Sequence, residues 1–78
     1  MEIRIDDQLW AASMAPLGVL QRWRVSDGVQ VARGQAIAEV LIEDCLHEIT
    51  APSAGRVLQV TPAGTVIEPG SLVAKVER

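Results

Sequence analysis

Lysine, cysteine and histidine each occur once in this 78-residue chain, as Lys75, Cys45 and His47, and Trp10 and Trp23 are its only aromatics. Each scarcity excludes something. A single cysteine cannot form an internal disulfide, and one cysteine with one histidine cannot assemble a zinc-type Cys/His cluster within the chain. Two tryptophans are too few for a stacking platform for bases or sugars, and both read as core or rim packing residues. No apolar run is long enough to span a bilayer. The start, Met1-Glu2-Ile3-Arg4-Ile5-Asp6-Asp7, lacks a basic segment leading into an apolar one, so the expected location is cytoplasmic. There is no glycine-rich phosphate loop leading into a helix, and no nucleophile, base and orienting group stand at recognisable spacing, so no enzyme activity is expected.

What is present is ordinary for a folded domain: 49% hydrophobic and 22% charged residues, with a formal net charge of −3 and a pI near 4.9. The seven basic residues are scattered, which argues against nucleic acid and anionic membrane surfaces as partners. A chain of this size is one domain with a thin core, burying roughly 60–65% of the surface its unfolded form exposes.

Apolar residues alternate or come in short runs, as in Ile3/Ile5, Trp23/Val25, Val29/Val31, Val57-Leu58/Val60, Val66-Ile67 and Leu72-Val73/Val76. These are strand signals, and glycine or proline interrupts every window that a long helix would need. The fold class is therefore all-β. A shift of 36 residues superposes Ala15-Pro16 on Ala51-Pro52, Gly28 on Gly64, Gly34 on Gly70 and Ala38 on Ala74, and brings Val31, Ile37 and Val40 onto Ile67, Val73 and Val76. A one-residue gap is needed between the proline and the first shared glycine. Neither copy can bury its apolar face alone, which predicts a flattened sandwich of two quasi-symmetric halves, with matched turns of positive φ at the matched glycines.

Between the copies, Val40-Leu41-Ile42-Glu43-Asp44-Cys45-Leu46-His47-Glu48-Ile49 places two apolar runs around an acidic pair. It reads as a hairpin with Glu43-Asp44 at a solvent-exposed tip. That register pairs Ile42 with Cys45, Val40 with His47 and Ala38 with Ile49 on one face, which is expected to point inward.

The pattern resembles the biotinyl/lipoyl carrier family over nearly the whole chain. Ala15-Pro16 with Gly18 is similar to the opening of biotinyl domains, and Trp23-Arg24-Val25 before Asp27-Gly28 to the lipoyl Trp-x-Val strand. Gly34-Gln35-Ala36-Ile37-Ala38-Glu39-Val40 resembles the run into the attachment hairpin, and Glu48-Ile49-Thr50-Ala51-Pro52-Ser53-Ala54-Gly55 the stretch that follows it. The resemblance implies a barrel-sandwich hybrid with a protruding hairpin. Its segments would be an N-terminal hairpin over residues 1–12 turning at Asp6-Asp7, a first half over 15–40, the attachment-type hairpin over 41–49 and a second half over 51–78.

Members of this family carry biotin or lipoate on a lysine at the hairpin tip. Counting back from Ala51-Pro52, that place falls on Asp44, flanked by Glu43 and Cys45. A carboxylate cannot form the amide that an amine forms with an activated acyl group, so no cofactor is expected on this degenerate turn. Lys75 aligns with Glu39 in the repeat and reads as a solvated strand residue. Cys45 could hold an acyl group or a mixed disulfide, but small apolar packing is the better reading. Glu43, Asp44, His47 and Glu48 could suggest a metal or acid/base site, yet the first two suit a solvated tip and His47 is expected to face inward. The implied role is a non-enzymatic docking, structural or regulatory subunit of an acyltransferase or carboxylase-type complex. Its rival is a carrier loaded through Cys45 or Lys75. A small-molecule pocket between the halves is disfavoured by the thin core.

Overall fold

Two four-stranded antiparallel sheets face each other in the computed structural model, which describes residues 1–11 and 13–78. The elements in chain order are β1 (Glu2–Arg4), a 3₁₀ helix (Asp7–Trp10), β2 (Gly18–Trp23), β3 (Gln30–Val31), β4 (Ala36–Ile42), β5 (Cys45–Thr50), β6 (Gly55–Gln59), β7 (Val66–Ile67) and β8 (Leu72–Glu77). One sheet has the order β1-β8-β6-β3 and the other β5-β4-β2-β7. The result is a flattened β-sandwich of about 36 × 20 × 16 Å, not a closed barrel.

The repeat is visible in the pairing. β2 with β4 corresponds to β6 with β8, and the short strands cross over, β3 joining β6 and β7 joining β2. The matched glycines have matched positive φ values, 83° and 90° at Gly28 and Gly64, and 84° and 89° at Gly34 and Gly70. Matched apolar positions are matched in burial, with Ile37, Val73, Ala38 and Ala74 all at 0% exposure. Apolar side chains from the two sheets, among them Leu20, Val40, Ile42 and Val57, fill the space between. Each contributes about 1.5–3 kcal/mol by leaving water, several times what an exposed ion pair contributes, so packing holds the halves together.

A bulge is the structural form of the offset between the copies. The β2–β4 register slips between Leu20 and Arg22, so Gln21 is an extra residue that β6 lacks. Val19 therefore corresponds to Arg56, while Arg22 corresponds to Leu58.

One expectation is corrected. Of the N-terminal hairpin expected over residues 1–12, the described residues 1–11 form none: β1 pairs with β8, and the Asp6 carboxylate accepts a hydrogen bond from the Gln8 N–H at 2.9 Å and caps the 3₁₀ helix, while Ala12 lies outside the described residues. A capping aspartate starts a helical turn where a reversing strand would need Asp6 and Asp7 to form a tight loop. The hydrogen-bonding place of Ala51 is taken in the other copy by Ile5. Ala51 donates to Gln35 O at 2.9 Å and accepts from Gly34 N at 2.8 Å; Ile5 donates to Ser71 O at 2.9 Å and accepts from Gly70 N at 2.9 Å. The paired strands of the central hairpin run from Ala36 to Thr50.

Of the two tryptophans, Trp10 is buried and Trp23 half-buried, with its Nε1–H donating to Thr61 O at 2.9 Å. No helix among the described residues is long and apolar enough to cross a membrane.

Candidate functional site

The β4–β5 hairpin has the register read from the sequence: Ile42 opposite Cys45, Val40 opposite His47 and Ala38 opposite Ile49. Glu43 and Asp44 form the two-residue turn, and both are exposed. Among the described residues Glu43 is the one non-glycine with positive φ, at 55°. A two-residue hairpin loop needs left-handed backbone to match the twist of its strands, and here a side chain with a Cβ accepts that conformation.

The face carrying Ile42, Val40, Ala38 and Ile49 is buried, but Cys45 is exposed and His47 only half-buried. The inward placement of Cys45 is therefore corrected. Register puts Cys45 on the core side, yet β5 is an edge strand and its first residue lies at the tip, with no neighbouring strand beyond it. Ile42, on the inner strand β4, stays buried beside Gly18 of β2, where a Cβ would come within 2.9 Å of its Cγ1.

Behind the tip, the outer surface of this sheet carries a network that the sequence reading did not find. Glu39 on β4 accepts from Arg22 Nε at 2.7 Å and from Arg24 Nη1 at 3.3 Å, and Arg24 also reaches Glu48 of β5 at 3.0 Å. The Glu39 side chain is only 10% exposed. The arginines and glutamates lie 15 to 24 residues apart in the chain, so no local signal marks their meeting. An open cleft of about 340 Å³ lies where β1 and β5 flank the same edge, lined among others by Glu2, Arg4, Asp6, Glu48 and Ile49. Among the described residues no group of three or more His, Cys, Asp or Glu side chains could hold a metal ion, and Glu43, Asp44, His47 and Glu48 do not converge on one.

The family model described as "Biotin-requiring enzyme" matches residues 11–76. The chain belongs to this biotinyl/lipoyl family. No curated protein matches the chain significantly. In a biotinyl/lipoyl domain the cofactor is held through an amide, and the tip residues here do not fit one: Glu43 and Asp44 are carboxylates and Cys45 is a thiol. Lys75, the one lysine, is exposed on β8 in the opposite sheet, at the register position facing Glu2 and Leu58.

Proposed function

We propose that this biotinyl/lipoyl domain is a non-enzymatic docking, structural or regulatory subunit of an acyltransferase or carboxylase-type complex, and that it carries no cofactor. The observation that carries this reading is a family-type hairpin whose exposed turn presents Glu43 and Asp44, with the only amine side chain in the other sheet. Amide attachment needs a nucleophilic amine at the tip. Without one, the domain still offers the shape by which carrier domains meet their enzymes, and two carboxylates that favour fast association with a basic surface.

A second reading is supported by the exposure of Cys45. A thiol at the tip is reachable by a partner active site, so a carrier role through a thioester or mixed disulfide is the alternative, with attachment at Lys75 as its other form.

Intact mass of the protein purified from its native host separates these. The bare-chain mass supports the unloaded role. A group released by hydroxylamine or reductant places a carrier function on Cys45, and a group resistant to both directs attention to Lys75.

A further inference from the structure

Cross-strand register sets four apolar residues in one row across the outer surface of the β5-β4-β2-β7 sheet. Leu46 faces Leu41, Leu41 faces Val19, and Val19 faces Val66. Directly opposite residues in antiparallel strands project to the same side. The buried neighbours Ile42, Val40, Leu20 and Ile67 occupy the alternate positions, so this row points away from the core. Val66 is 59% exposed, Leu46 55%, and Leu17 beside them 47%. Leu17, Val19, Leu41 and Val66 line a shallow groove of about 270 Å³, together with Glu43 of the hairpin tip.

The molecule contains its own control. Across the approximate two-fold, Val66, Val19 and Leu41 correspond to Gln30, Arg56 and Glu77, which face one another in the same way on β3, β6 and β8. All three are exposed and polar or charged. The architecture therefore does not require apolar residues in this row: the equivalent strands manage with a solvated one. An apolar row on one half only, exposed at Leu46 and Val66 and half-buried at Leu41 and Val19, is the mark of a surface that something covers.

We infer that the Leu46–Leu41–Val19–Val66 row and the adjoining acidic tip form one docking face for a heterologous protein presenting an apolar patch bordered by lysine or arginine. This rests on the docking reading above and specifies its surface. A basic border is chosen because Glu43 lines the groove, Asp44 follows it in the exposed turn, and neither meets a cationic side chain of this chain among the ion pairs of the described residues. A second copy of this chain would bring its own acidic tip to the same face, and the net charge of −3 opposes it further.

The test places a photo-crosslinking residue at position 66 or, as the matched control, at position 30, in the full chain in its native host. The protein captured is identified by mass, purified and titrated against the unmodified chain, Val66→Glu, Leu46→Glu and Gln30→Glu, each first checked for a native circular dichroism spectrum. Crosslinking from position 66 alone is expected, with affinity falling about tenfold or more for the first two variants and unchanged for the third. Glu43→Gln with Asp44→Asn should lower the association rate and its salt dependence. A partner that binds all variants equally leaves the docking role standing and overturns this face. A crosslinked second copy of the chain also overturns it, and the absence of any complex removes both.

Discussion

Glu39 and Glu48 stand directly opposite each other across β4 and β5, and Arg24 bridges them, with Nη1 at 3.3 Å from one carboxylate and 3.0 Å from the other. Two like charges in a cross-strand pair repel unless a cation is shared. Arg24 is itself 41% exposed, which limits what the bridge contributes. Arg24→Met should destabilise the fold by about 1 kcal/mol, read as a fall in melting temperature of roughly 4–8 °C. In a Glu48→Gln background the same change should cost less, because one member of the repelling pair is gone. A double-mutant cycle by thermal denaturation measures the difference; equal losses in both backgrounds would show that the bridge is not coupled.

Glu43 holds a φ of 55° at the turn. A Cβ in left-handed backbone costs roughly 1–2 kcal/mol, part of which glycine returns as chain entropy. Glu43→Gly should therefore stabilise the domain by about 0.5–1 kcal/mol, while Glu43→Val, branched at Cβ, should destabilise it by about 1 kcal/mol. Urea titrations with unchanged slope would report both, and a loss of stability in the glycine variant would contradict the strain argument.

Asp44→Lys restores an amine to the exposed turn of a hairpin whose register and projection are intact. Because lysine is solvated at such a tip, no loss of stability is expected. Incubation with a biotin ligase or a lipoate ligase and the matching activated substrate should add one group, detected by intact mass, if the surrounding surface is still readable. An unlabelled, folded variant would mean that the ligase-recognition surface has changed along with the acceptor.

Much of the architecture is legible in the sequence, because it depends on local chemistry and periodicity. The 36-residue repeat appears as matched glycines and matched buried side chains, and the hairpin register follows from two apolar runs around Glu43-Asp44. The acidic, amine-free turn is likewise a property of residues adjacent in the chain. The N-terminal segment was less legible, since Asp6-Asp7 is as good a helix cap as a strand turn and only the pairing of β1 with β8 decides between them.

Tertiary structure alone decided which alternating positions are covered. Cys45 has the side-chain direction of a core residue but lies at the end of an edge strand, where nothing packs over it. Glu39 has the opposite fate, its charge nearly covered because two arginines from β2 and the segment after it fold across it. The contrast between the Val66–Val19–Leu41 row and the Gln30–Arg56–Glu77 row is also invisible in sequence. The bulge at Gln21 shifts the repeat by one residue, and only the register shows that Val19 and Arg56 occupy the same place. Local pattern determines which strands can form and which way their side chains alternate; exposure depends on what the rest of the chain lays against them.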